Sequence, residues 1–359
     1  MSNGGTWDVT SLPIRPGIYI NFIEAALAQI TGGARGIVGI PIFNYPATAT
    51  AGKFYTFENE KEATDVLGTE HNDAVLRVLS GGAKEVLAYA VPASQVPEST
   101  EKQFIDLRDA FEARPFNVFV FPGEVSASEQ DATLAWCKRN REEGKHYMTV
   151  FGGTEAEDQD PEVGNARSVR LADLYVVNLI SGVELSDGSE LSSAEFASYI
   201  AGLIAGTPIN KSITYADIPV VDVTKRLRNS EIKAALTSGS LVLVHDGRKV
   251  KVEQGIVTKS NEQKRGKIRL VRARQAVATD ISATACDNYI GKIDNNPDGQ
   301  MSLISSIKAY LEQLEINNVL MEPAVRLDPQ RKSEGDSVFI DVAYTEVDSM
   351  ERIFLSINV

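Results

Sequence analysis

The chain is poor in the residues that carry most recognisable chemistry. Its 359 residues include two cysteines, Cys137 and Cys286, and neither lies in a C-x-x-C pair. A disulfide framework is thereby excluded, and two thiols in helix-like sequence suit a reducing compartment, the bacterial cytoplasm. Histidine is scarcer than expected for this length: His71, His146 and His245 stand apart, without a metal-ligand set beside them. No run of 18 apolar residues occurs, so no segment reads as a bilayer-spanning helix. The opening MSNGGTWDVTSLPIRPG has neither the basic nor the apolar region of a secretory leader. Phosphate-binding signatures are missing: there is no G-x-x-x-x-G-K-[ST], and no G-x-G-x-x-G follows a strand. The glycines of 32–39 are spaced GGxxGxxG without a lysine, as suits a turn beside a strand. No G-x-S-x-G elbow presents a serine. Cations are outnumbered, 36 Lys and Arg against 49 Asp and Glu, which leaves a net charge of −13. Such a surface repels phosphate and offers an anionic membrane little, so neither nucleic acid nor membrane is expected as a partner. No cofactor or metal is expected either.

What is present is an ordinary globular composition, 43% apolar and 24% charged, with unusual chain ends. The last ten residues read MERIFLSINV. Ile353, Leu355, Ile357 and Val359 alternate with Phe354, Ser356 and Asn358, the period of a strand with one buried face. Chain ends fray unless tied down, and a loose apolar strand is an adhesive edge. This tail is therefore expected to pair, and a contact between copies of the chain suits it better than a solitary monomer. A shorter alternation, Ile18, Ile20 and Phe22 against Tyr19 and Asn21, follows Pro13 and Pro16, which remove ladder donors and mark an edge or linker strand. It reads as a second arm.

Between the arms, strands and helices alternate. Gly36 to Ile42, 85–91, 116–122, 146–153 and 171–179 read as near-continuous apolar strands. Helices are expected over 71–79, 98–113 and 127–143, with Asn59 capping a short one. Continuous apolar strands alternating with helices predict a parallel sheet covered on both faces. Between the last two of these strands, EAEDQDPEVGNA reads as a polar loop. Further on come an amphipathic helix from Ser192 or Ser193 to Ala205 and a short helix over 229–238. A hairpin over 241–254 is expected to turn at Asp246-Gly247. Then follow a long helix over about 265–291, one started by Asn296-Pro297 and running to Leu314, and strands at 319–327 and 337–347. The fold class is α/β plus α+β: a doubly wound α/β domain, then a mixed C-terminal core domain, with extended strand arms at both ends. The expected division is 1–22 for the N-terminal arm, 23–190 for an outer α/β domain (with 23–84 as a candidate separate small subdomain), 191–347 for the core domain and 348–359 for the C-terminal arm.

Two motifs repay weighing. Asp294 to Gly299 partly matches a calcium loop, but Ser305 stands where a bidentate glutamate belongs and Pro297 starts a helix inside it, so a helix cap is the better reading. Lys264, Arg265, Lys267, Arg269, Arg272 and Arg274 form a basic run with no acid from Gln263 to Thr279. On a helix Arg265, Arg269 and Arg272 share one face. That face is a solvated surface or a docking patch for an acidic partner, including another copy of this acidic chain; nucleic acid is the least favoured reading, because the rest of the molecule would repel phosphate. The 49 carboxylates single out no catalytic pair.

Six stretches in order carry a resemblance: PIRPGIYINF, GARGIVGIPI, LSGGAKEVLAYAV, LSSAEFASYIAGLIAGTPINKSITYADIP, ALTSGSLVLVHDGRKVKVEQGIVT and SVFIDVAYTEVDSMERIFLSINV. Together the chain resembles the tail sheath proteins of contractile-tailed bacteriophages and phage-tail-like bacteriocins, in a compact form without a peripheral β-domain. The resemblance implies a non-enzymatic subunit that polymerises as six-fold helical rings around an inner tail tube and shortens on a baseplate signal. It implies arms at about 10–22 and 348–359 that donate strands to neighbouring subunits, through Ile18, Ile20, Phe22, Ile353, Leu355, Ile357 and Val359. Inner tube, baseplate and tail terminator proteins are the implied partners, and a virion tail or tail-like particle is the destination. The implied tube contact lies on the helix 298–314 or on the basic face of 265–274, with Arg265, Arg269 and Arg272. The competing class is an α/β enzyme, with a crevice at the strand ends of 85–185.

Overall fold

The computed structural model describes residues 4–5, 18–19, 30, 35–93, 100–260 and 266–357. Near the start, Gly4–Gly5 (β1) pairs in parallel with Ile18–Tyr19 (β2). The first large element is a six-stranded sheet. It contains β3 (Ile37–Ile42), β4 (Phe54–Phe57), β5 (Glu85–Ala90), β6 (Val118–Val120), β7 (Met148–Phe151) and β8 (Val176–Asn178). Their spatial order is β4-β5-β3-β6-β7-β8. All neighbours run parallel except β4, which pairs antiparallel with β5 at one edge. Parallel strands need crossovers, and helices supply them. Helices α1 (Glu60–Leu67) and α2 (Asp73–Ser80) lead into β5, α3 (Thr100–Glu112) into β6, and α4 (Ala127–Glu142) into β7.

Alternation along the strands sorts the side chains onto two faces. Val38, Ile40, Val86, Val118, Val120, Met148 and Val150 pack with Val75 and Val78 of α2. Ile37, Leu87, Tyr89, Phe119 and Phe151 pack with Leu107 and Phe111 of α3 and with Leu134 and Trp136 of α4. With both faces covered, each strand is apolar throughout, which is why the strands read so clearly in the sequence.

The segment between β7 and β8 differs from expectation. It is not a polar loop but two helices, α5 (Glu155–Asp158) and α6 (Pro161–Arg170). Thr154 and Glu157 form a reciprocal capping box, and Asp160 caps a helix that has Pro161 in its first turn. Helix α6 buries Pro161, Gly164, Arg167 and Ser168. A buried stripe of small and polar residues leaves no apolar period to read.

After the short strands β9 (Val183–Glu184) and β10 (Glu190–Leu191) comes α7 (Ser193–Gly206), which Ser192 and Glu195 start with a capping box. It lies beyond the expected boundary at 190, yet Ile200 and Ile204 pack into the core of the sheet beside α2. The helices touch backbone to backbone: a Cβ on Gly202 would overlap the Val78 carbonyl oxygen, and one on Gly206 the Gly82 carbonyl oxygen.

Strands β11 (Asp217–Ile218) and β12 (Asp222–Val223) precede α8 (Asn229–Ser238), which ends at Gly239 in the left-handed region. Then β13 (Leu243–His245) pairs antiparallel with β14 (Val250–Val252), and β11 adds to the other side of β14. The turn falls one residue later than expected, at Gly247-Arg248, closed by the Asp246 N–H donating to the Lys249 carbonyl at 3.0 Å. His245 pairs with Val250, and the Asp246 carboxylate accepts from the Arg248 and Lys249 backbone N–H groups. Leu241 and Thr258 bond the backbone of β8 and so cover that edge of the large sheet.

The last portion is α9 (Ile268–Asn288), α10 (Pro297–Ile316) and a hairpin of β15 (Leu320–Leu327) and β16 (Ile340–Glu346). Asn296 caps α10 by accepting from Gly299 N at 2.8 Å, so the calcium-like hexapeptide serves as a helix start. One face of the hairpin, with Val325, Ile340, Val342 and Tyr344, packs on a core built from Ala273 and Val277 of α9 and Ile307, Leu311 and Leu314 of α10.

Candidate assembly site

After one last ladder bond, from Val347 N–H to the Val319 carbonyl at 3.2 Å, the chain stops pairing. Residues 347–357 belong to no strand or helix, and their apolar side chains face outward: Ile353 is 72% exposed, Phe354 90%, Leu355 81% and Ile357 82%. Contiguous exposed apolar residues of this kind mark an interaction surface. The hairpin beside them is two-stranded, with no third strand among the described residues. Its backbone edges are therefore open to an added strand.

The segment between hairpin and tail is held firmly. Arg274 of α9 grips both carboxylate oxygens of Glu346, one of them at 2.6 Å. Lys267 reaches Asp348 at 2.5 Å and Glu351 at 3.0 Å. Arg269 donates to Ser349 Oγ at 2.8 Å and to the Asn318 carbonyl at 3.0 Å. The Glu351 carboxylate also accepts from Thr214 Oγ1 at 2.9 Å and Gln254 Nε2 at 2.8 Å, and its side chain is only 8% exposed. Acids of the descending chain thus meet the cations that open α9. A buried carboxylate with three good donors is a strong anchor.

This arrangement corrects the reading of the basic run as an exposed docking face. Arg269 and Arg272 are buried, and they bond their own subunit. Arg272 donates to the Ala205 and Thr207 carbonyls, at 3.4 and 2.6 Å, at the C-terminus of α7, where a cation suits the helix dipole. Burial, with Arg35 nearby, lowers its pKa to about 10. Burial lowers that of Arg269 as well. Arg265 lies outside the described residues, as do Ile20, Phe22 and Val359; of Ile18 the backbone pairing in β2 is described. The sequence reading missed Lys267, Glu346, Asp348 and Glu351 as partners. The available signal was complementarity: an acid-free run at 263–279 and acids at 346, 348 and 351.

At the carboxyl ends of β6 and β7 a cleft of about 400 Å³ is lined by Ser126, Gly153, Thr154, Glu157 and Arg167. Ligands of open α/β sheets bind beyond the carboxyl ends of the strands. There, next to β7, the Arg167 guanidinium is spent on Asn178 Oδ1 at 2.7 Å, Glu157 Oε2 at 2.6 Å and the Leu179 carbonyl at 3.3 Å. Asp158 is buried, which pushes its pKa up to about 6 against the hydrogen bonds it accepts from Ser193 N and Oγ. A cavity of about 280 Å³ lies at the opposite ends, beside Ile37, Asn117 and Tyr147, where the strands begin. His146 lines it; burial lowers its pKa, and its Nδ1 lies 3.3 Å from the Tyr175 hydroxyl. His245 Nδ1 accepts from Gly247 N within its own turn. Among the described residues no group of three or more His, Cys, Asp or Glu is arranged to hold a metal, and no helix is long and apolar enough to cross a membrane.

The tail sheath protein of Clostridium phage phiCD119 is 24% identical over 236 residues, covering 64% of this chain and 62% of that protein. The chain thus matches about three fifths of that relative's length. The crystal structure of the sheath tail protein from Desulfitobacterium hafniense superposes with a TM-score of 0.76 at 21% identity, over 94% of this chain and 99% of that one. The helical sheath of the anti-feeding prophage in its contracted state superposes with a TM-score of 0.73 at 16% identity, over 96% and 98%. At these identities the two structures show a shared fold. Residues 98–258 match the profile of the phage tail sheath protein central domain, and residues 260–359 match that of the phage tail sheath C-terminal domain. With most of its length matched in this way, the chain belongs to the phage tail sheath family.

Proposed function

We propose that this protein is the structural subunit of a contractile tail sheath. Copies polymerise as six-fold helical rings around an inner tail tube, and contraction drives the tube through a target envelope. The single observation that carries this reading is the tail: alternating apolar residues, exposed and unpaired, leave an anchored root beside a hairpin with open edges. A strand donated to the β15–β16 hairpin of a neighbour would bury those side chains and satisfy backbone groups at once. The arm at 1–22 donates from the other end of the chain in the same way. The doubly wound α/β layer, with 23–190 as its core, moves as a rigid body, while the arms keep neighbours tethered as interfaces repack between two states.

Inner tube, baseplate and tail terminator proteins complete the particle, a virion tail or tail-like injection device assembled in the bacterial cytoplasm. Because the described cations that open α9 serve contacts within the subunit, to the tail and to the end of α7, the tube-facing surface falls to α10. The protein is expected to form hollow six-fold tubes visible by negative-stain microscopy. A chain ending at Glu351 should remain a folded monomer; tubes from that shortened chain would overturn the strand-donation reading.

A further inference from the structure

The contacts between α9 and residues 346–351 have a consequence for where the arm begins, given the reading of the tail as a donated strand. We propose that Glu351 is the anchor that fixes the arm's point of departure, so that 346–351 stay with the subunit's own body and only the residues from Arg352 onward are donated.

Three observations support this. Side-chain polar contacts to the body fall on four residues between 346 and 351: Glu346 to Arg274, Asp348 to Lys267, Ser349 to Arg269, and Glu351 to Thr214, Gln254 and Lys267. Exposure changes abruptly there, from a Glu351 side chain 8% exposed to Ile353 at 72%. The partners of Glu351 come from three separated parts of the chain: the segment before β11, the one after β14, and the start of α9. A residue held from three directions fixes both the position and the heading of the chain that leaves it.

The anchor also sets a length. The exposed residues 352–357 are six, so fully extended they span about 20–22 Å. For Ile353, Leu355 and Ile357 to be donated, the acceptor hairpin of a neighbour must lie within that distance of Glu351. Glu351 is therefore a positioning residue: it touches no neighbour, yet it decides which neighbour the arm can reach.

The test uses full-length, unassembled protein and trypsin, which cuts after Arg352; mass spectrometry follows release of the peptide 353–359. A protease needs several residues free on each side of the bond, so the anchor should slow cleavage. Glu351→Ala should release the peptide about ten-fold faster than the wild type, because a buried, multiply bonded carboxylate is lost. Glu351→Gln, which keeps the shape and part of the bonding, should fall between. Circular dichroism of both variants should match the wild type, and tube formation should need higher protein concentration. Wild-type release rates from both variants would overturn the anchor. Should Glu351→Ala be poorly folded, Glu351→Gln decides alone by the same readout. The strand-donation reading fails separately, if a chain ending at Glu351 still forms tubes, and that outcome leaves the cleavage result standing.

Discussion

Val38, Ile40 and Ile42 of β3 are 0–4% exposed, while Ile353, Leu355 and Ile357 of the tail are 72–82% exposed. Both trios alternate along their segments and consist of the same kind of residue. The first is enclosed by helices of its own chain on either side of a parallel sheet, and every neighbour it needs is encoded within about 170 residues. The second is left exposed among the described residues. Its neighbours on the chain, Glu346, Asp348, Ser349 and Glu351, are nevertheless each bonded to the body of the subunit. The difference teaches that exposed apolar sequence here is aimed rather than loose: polar contacts hold the root, and the apolar strand is left for another molecule to complete.

The contrast can be broken from the enclosed side first. Gly202→Val would push a branched side chain into the Val78 carbonyl, where α7 and α2 meet backbone to backbone. It should cost about 3 kcal/mol, read from urea melts, because neither backbone can yield without shifting a packed helix. A loss below about 1 kcal/mol would mean that the helix crossing is more plastic than its geometry indicates.

A second, smaller effect tests the same layer through pH. In the folded chain Asp158 keeps its proton up to about pH 6, against an ordinary value of 3.8, because burial opposes the charge. The folded state binds that proton more tightly than the unfolded chain, so this contribution is complete below about pH 4 and is lost as pH rises through 6. The cost at neutral pH is about 2–3 kcal/mol. Asp158→Asn should remove this pH slope, and parallel slopes for variant and wild type between pH 4 and 7 would contradict the assignment.

The smallest effect on stability belongs to the tail. Leu355→Asp should change monomer stability by less than about 0.5 kcal/mol, since the side chain already faces water. The same substitution should suppress tube formation, because a carboxylate would be buried in the donated strand. A large loss of monomer stability would show that the tail is part of the subunit's own core.

Much of the α/β layer was legible in the sequence. Burial on both faces makes a strand continuously apolar, so β3, β5, β6 and β7 declare themselves, and caps such as Asn59, Ser192 and Asn296 mark helix starts by local chemistry alone. Helices α5 and α6 were not legible, because they bury a glycine, a serine and an arginine rather than an apolar stripe. The basic run was visible as a run but not as an interior. Arg272 lies inside because the carbonyls of Ala205 and Thr207, 65 or more residues earlier, happen to end a helix beside it. Likewise nothing local distinguishes Glu351 from Asp348 or Glu346, although it alone collects donors from three segments.

Periodicity and capping chemistry act over a few residues, so the sequence by itself determined which segments are strands and helices, and that both ends carry apolar alternation. Which cations face inward, where the tail is fastened and which residue is the last to be held were decided only by the tertiary structure. Those outcomes depend on charges and carbonyls that lie tens to more than a hundred residues apart until the chain folds.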